Sequence, residues 1–371
     1  MARWINLSYA NVATTSPVAH EVASEWADLL ARGGSAEFDG DAEKNALMPL
    51  RESAARLLSC EVGDVCAGSS ATELICSLAW AISPSKGSNI VSTRASFPST
   101  VYPWRRVAEA NGAEIRLAEH DKSLYTSPDD ILGLIDDQTS VVTLSHVEYS
   151  NGQRYDLKMF AEAAHSVDAL LIVDATQSMG MVPIAAPSTG ADALVSSGYK
   201  WLRGTYGAAV AYVSAAIRGQ LNPGLVGFRS NADLWDLRAD RMDLPKDASR
   251  FEFTTLHFGA ALGLAEAVEE INEIGIEKVW KHDIGLADLI IEGSRRMGIE
   301  VASPTTEDER SAIVSLRLPN GISSKEISRR LQNEHSIIVT SRAGLLRVSP
   351  HIDNDARDVS ALFEALSSLL E

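Results

Sequence analysis

Cysteine is scarce in this chain of 371 residues, with three in all, Cys60, Cys66 and Cys76. An odd, low number gives no disulfide framework and points to a reducing compartment. The three show neither a CxxC pair nor a metal spacing, and no cysteine follows Cys76. Basic residues are also in the minority: 33 Lys and Arg stand against 50 Asp and Glu, for a net charge of −17. That balance argues against nucleic acid or an anionic membrane as the main partner, since both attract Lys/Arg-rich surfaces. No apolar run reaches membrane-spanning length. The opening MARWINLSYANVATTS lacks the apolar core of a signal peptide, so a cytoplasmic location is the default expectation. G-x-G-x-x-G is missing, which removes the usual mark of a nicotinamide-dependent dehydrogenase. HExxH is missing too, because His20-Glu21-Val22-Ala23-Ser24 lacks the second His. There is no internal repeat and no low-complexity segment.

What is present centres on residues 170–207. An apolar run ends in Asp174 (LLIVDATQSMG), and a second ends near Lys200 (LVSSGYKWLRGTYG). An acid and a lysine, each at the C-terminal end of a buried strand, would share one edge of a parallel sheet, where open α/β folds bind ligands. An acid to face a cofactor's ring nitrogen and a lysine able to form a Schiff base are what pyridoxal 5'-phosphate (PLP) requires of a protein.

The rest of the chain fits an α/β protein. Strand-like runs fall at 89–92, 114–118, 140–145, 170–174, 193–196 and 208–213, with helical segments at 98–111, 128–135 and 157–167 between them. Such alternation reads as a mostly parallel sheet covered on both faces. The run at 208–213 follows the lysine so closely that it suggests an antiparallel neighbour. Gly68-Ser69-Ser70-Ala71-Thr72 leads into a helical run at 74–82, and small and hydroxyl residues at a helix start offer an anion site. Residues 219–247 are irregular and rich in Gly, Pro, Asn and Asp. Long helices at 259–274 and 278–297 follow, and the remainder reads as a strand-rich α+β unit.

With these pieces placed, the sequence resembles the class V aminotransferase family of fold-type I PLP-dependent enzymes. The family includes cysteine desulfurases, selenocysteine lyase, kynureninase and isopenicillin-N-epimerase-like proteins. The likeness runs from Tyr9 to the C-terminal helix through GSSATE, SFPSTVYPW, SHVEYSNG, VDATQSMG, SSGYKWLRGTYG, RFEFTT and LRVSPHIDND, in the family's order. It implies a PLP-binding large domain over 16–256, with a mostly parallel seven-stranded sheet. A smaller α+β domain would comprise 1–15 and 257–371.

The resemblance also implies roles. Lys200 would be the Schiff-base lysine and the base that moves the Cα proton, and Asp174 would pair with the pyridine nitrogen. Gln177 would bond the ring's phenolic oxygen. Phe97 would stack on the ring, where desulfurases carry a His that a phenyl cannot replace in proton transfer. Ser70, Ala71, Thr72, Ser197 and Tyr199 would hold the phosphate. Thr255 would reach the phosphate of a neighbouring subunit, making a homodimer with shared active sites. Arg347 would bind the substrate α-carboxylate, with Arg342 and Arg250 as alternatives. Tyr149 or Asn151 would lie near the phenolic oxygen, and His146 would be either a core or a site residue. Desulfurases carry their catalytic thiol on a loop of the C-terminal domain upstream of the carboxylate-binding Arg; no cysteine follows Cys76 here, so persulfide formation on the protein is not expected. The expected activity is β-elimination on a small amino acid or cysteine conjugate. The alternatives are transamination, then epimerisation or decarboxylation, and, in a different class, a non-catalytic protein on the same fold.

Overall fold

The computed structural model describes residues 4–370; residues 1–3 and 371, which the expected small domain includes, lie outside the described residues. The chain opens with β1 (Ile5–Asn6), then α1 (Pro17–Gly33), α2 (Gly40–Asn45) and α3 (Met48–Leu58). Next come β2 (Val65–Gly68), α4 (Ala71–Ile82), β3 (Asn89–Thr93), α5 (Pro98–Asn111), β4 (Glu114–Ala118), α6 (Pro128–Leu132) and β5 (Thr139–Ser145). They are followed by α7 (Leu157–His165), β6 (Leu170–Asp174), α8 (Ala186–Thr189), β7 (Ala193–Ser197), β8 (Ala209–Val213) and α9 (Ala215–Arg218). The helix expected from residue 74 starts three residues earlier, because the Ser70 side chain caps it by accepting from the Glu73 amide.

Seven of these strands form one sheet in the order β2-β8-β7-β6-β5-β3-β4. The neighbours from β7 to β4 run parallel, and β8 runs antiparallel to both β7 and β2. The short link after the lysine accounts for the reversal: a parallel strand would need a crossover of a dozen residues or more. Alternation along the strands divides the core in two. Val142, Leu144, Leu171 and Val173 belong to one apolar cluster. Val141 and Ile172 belong to another, with Leu74, Leu78, Trp104 and Val107 of α4 and α5. Burial on both faces explains the continuous apolar strands.

Residues 219–247 hold one short 3-10 turn, Phe228–Ser230, and are otherwise irregular. Beyond them come α10 (Phe258–Ile274), α11 (Ile276–Arg296), β9 (Glu300–Val301), β10 (Val314–Arg317), α12 (Ser324–His335), β11 (Ile337–Ile338), β12 (Thr340–Arg342), β13 (Leu345–Val348) and α13 (Ala356–Leu370). Strands β12, β13, β10 and β9 form an antiparallel sheet. A third apolar cluster joins it to α11, α12 and α13.

Phe258, Ala260, Leu264, Val268 and Ile271 of α10 pack into the first cluster with the large sheet, not into the third. We therefore propose a boundary near Gly275 instead of residue 257. The N-terminal arm crosses it: β1 pairs with β11, whereas Tyr9 and Ala10 are buried in the first cluster.

Candidate active site

Two parallel strands carry the acid and the lysine to one sheet edge. Asp174 closes β6 opposite Val195 of β7, and Lys200 lies in the turn after β7. That turn is folded on itself: the Gly198 amide donates to the Ala208 carbonyl, and the Gly204 amide to that of Gly198. A Cβ on Gly198 would lie 2.6 Å from Leu264 of α10, so glycine permits this close approach. A pocket there is lined by Asp174, Lys200, Ala71, Thr72, Phe97, Tyr149, Gln177, Ser197 and Tyr199, among others.

Asp174 is buried and held from two sides. The Thr176 amide donates to Oδ1 at 2.9 Å and Thr100 Oγ1 to Oδ2 at 3.0 Å. Lys200 is buried as well, and burial lowers its amine to about 8, against the opposing pull of Asp174; Arg347 and Arg342 push the same way as burial. Its Nζ lies 5.6 Å from the centre of the Phe97 ring and 5.8 Å from that of Tyr199. A half-exposed Phe97 meets Tyr149 edge-on, with ring centres 5.1 Å apart. Gln177 is spanned between Trp201 Nε1, which donates to its Oε1, and the Ala10 carbonyl, which accepts from its Nε2. One Nε2 hydrogen remains for a ligand.

At the other end of the pocket, Ala71 and Thr72 form the first turn of α4, the positive end of a helix. The Ala71 amide donates to Ser197 Oγ at 3.2 Å, and Thr72 Oγ1 to Ser99 Oγ at 2.9 Å. Ser70 does not line the pocket; its hydroxyl is used as the cap.

Arg347 enters from the smaller sheet, on β13 opposite Ser315 of β10. It is 1% exposed, and burial drives its guanidinium down to about 9, with Arg342 acting the same way. Nη1 donates to the Tyr149 carbonyl, while Nε and Nη2 are buried without a partner. Buried donors on a cation are costly to leave unmade, so this fork calls for an anion. Arg342 is only half-buried, with its Nη2 donating to Asn11 Oδ1. Arg250 lies elsewhere, bonded to the carbonyls of Pro245, Arg218 and Leu221.

Three expected positions resolve differently. Asn151 is tied into a turn, donating to the Ser123 carbonyl and accepting from the Gln153 amide, so Tyr149 is the residue of that pair at the pocket. His146 lines a separate hollow with Arg154, Tyr155 and Lys158, and burial lowers it to about 3. Thr255 is exposed and outside this chain's pocket. Sequence reasoning missed Thr100 and Thr176. Thr176, two residues after the acid, could have been found from that spacing, an Asx-type turn, whereas Thr100 comes from a distant segment that only the fold brings to Asp174.

The donor set fits PLP: a desolvated amine for the aldehyde, a fixed carboxylate for the ring nitrogen, and a helix start with hydroxyls for the phosphate. This is the site of a fold-type I PLP-dependent enzyme. The Aminotransferase class-V model matches residues 9–362, and the chain belongs to that family. It is 26% identical over 340 residues to a probable cysteine desulfurase of Methanothermobacter thermautotrophicus, covering 87% of this chain and 83% of the relative. It is 23% identical to the uncharacterized aminotransferase YcbU of Bacillus subtilis, covering 97% and 93%. Among solved structures, the cystine C–S lyase C-DES with its product cysteine persulfide superposes with a TM-score of 0.90 at 18% identity, over 99% of this chain and 98% of that one. The apo cysteine desulfurase of Thermococcus onnurineus gives 0.88 at 22%, over 99% and 94%. Among the described residues, no helix is long and apolar enough to cross a membrane.

Proposed function

We propose that this enzyme carries out β-elimination on a small amino acid or cysteine conjugate, without a thiol of its own: the Cβ substituent leaves, and the released enamine takes up one water to give a keto acid and ammonia. The observation that carries this reading is a buried Lys200 amine that feels the charge of Arg347, a guanidinium with two unpartnered nitrogens, beside a pocket that no cysteine lines. Bound PLP supplies the electron sink for charge at the substrate's Cα. The chain's own residues do the rest. Arg347 takes the α-carboxylate in a two-pronged grip and so fixes which Cα bond is presented. Lys200, with its amine lowered to about 8, accepts the Cα proton near neutral pH. Asp174, held by Thr100 and the Thr176 amide, keeps a proton at the ring nitrogen. Phe97 and Tyr149 wall one side and exclude water.

Burial pushes all three thiols upward, Cys60 to about 11, which leaves none activated. We assign Thr255 to the phosphate site of a second copy, so that the working unit is a homodimer. Three free cysteines suit a reducing compartment, and we place the enzyme in the cytoplasm. The test is a single turnover of holoenzyme with amino acids and cysteine conjugates, following the visible spectrum and identifying products by mass. A lyase restores the starting spectrum alongside a keto acid, ammonia and leaving group. A cofactor left in its amine form until a keto acid is added would overturn β-elimination in favour of transamination.

A further inference from the structure

Glu148 lies three residues beyond β5 and has no part in the reaction proposed above. Its side chain is fully buried. Oε1 accepts from Ser96 Oγ at 2.9 Å, while Oε2 is buried without a partner. Its amide donates to the Gln153 carbonyl and its own carbonyl accepts from the Gly152 amide, so the residue is pinned in a tight turn. The ionisable groups facing it are Asp174 on β6 and the Tyr155 hydroxyl, with the hydroxyls of Ser96 and Ser145. A carboxylate there would be a second negative charge beside Asp174. Burial accordingly raises this acid to about 8, so it is uncharged at neutral pH.

The neighbours in sequence give the position its meaning. Ser96 precedes Phe97, and Tyr149 follows Glu148. The two rings meet edge-on at 5.1 Å, and the Tyr149 carbonyl accepts from Arg347. We propose that Glu148 is a positioning residue whose carboxyl fastens the Ser96 segment to the 148–153 turn and sets Phe97 and Tyr149 as one wall of the Lys200 pocket. The proposal rests on the PLP reading for what that wall faces. An unfolded Glu ionises near its ordinary value and the folded one near 8. The folded state therefore holds the extra proton between those values, and its stability falls as pH rises through that window.

The test uses holoenzyme of wild type, Glu148→Gln, Glu148→Asp and Glu148→Ala, with visible circular dichroism of the cofactor on either side of about pH 8. Wild type should show a step near 8. Glu148→Gln, which keeps the polar contact without the charge, should lose that step and hold the low-pH signal. Glu148→Asp, too short to reach Ser96, and Glu148→Ala should give the high-pH signal throughout, with KM raised about tenfold, the equivalent of one hydrogen bond. Because Lys200 is lowered to the same range, the difference between the two profiles is scored: a Glu148→Gln step identical in size to that of wild type overturns the proposal while leaving the PLP reading intact. A wild type with no visible cofactor band removes the PLP reading instead, and carboxyl NMR of the cofactor-free protein then decides. Titration of Glu148 well above the ordinary range near about 4 upholds its uncharged role, and titration within that range overturns it.

Discussion

The floor of the pocket and the buried guanidinium near it are built on opposite principles. On the floor, Asp174, Gln177 and Ser197 have partners inside the large domain, from Thr100, the Thr176 amide, Trp201 and the Ala71 amide. Arg347 of the small sheet is just as buried, yet Nε and Nη2 have none. The floor is finished before any substrate arrives, as a group bound throughout turnover requires. The buried guanidinium keeps two donors unmade, which an anion could satisfy.

The strongest way to break this contrast is Lys200→Ala. Loss of the covalent attachment and the base together should abolish the visible chromophore and cost turnover at least about 10²–10⁴-fold, the range for a general base alone. Retained turnover would sink the assignment. Next in size is Arg347→Lys, which keeps a charge but not the fork. It should raise KM about tenfold to a hundredfold, from about 1.5–3 kcal/mol of charge-assisted bonding, and leave cofactor content unchanged. Equal loss of cofactor would erase the distinction between guanidinium and floor. Thr100→Val is the smallest. Removing one of the two donors to Asp174 should weaken cofactor binding by about 1 kcal/mol, with KM for substrate unaltered.

The strands were legible because burial on both faces demands unbroken apolar runs, and Asp174 and Lys200 stood out as charges at the ends of two of them. Thr100 was not, since a hydroxyl in a first helical turn reads as ordinary capping until the fold sets it against Asp174. Glu148 was hidden for a stronger reason. A carboxyl in SHVEYSNG reads as solvated, and only Ser96, from a distant segment, and the sheet edge above it make the position dry. Likewise α10 looked like the start of the second domain by its place in the chain. Its apolar face packs instead with α1 and α3 of the first cluster, and Leu264 reaches the glycines of the lysine turn.

The N-terminal arm has a mechanical meaning. Ser8 bridges to Ser349, two residues beyond Arg347, and the Tyr9 amide donates to the Ser349 carbonyl. One residue further along, the Ala10 carbonyl takes the Gln177 amide on the pocket floor. Arg347 on the small sheet and Gln177 at the pocket are thus linked through one short run of backbone, residues 8–10. The arm thereby joins the small sheet to the pocket with main-chain bonds at one end and a side-chain amide at the other.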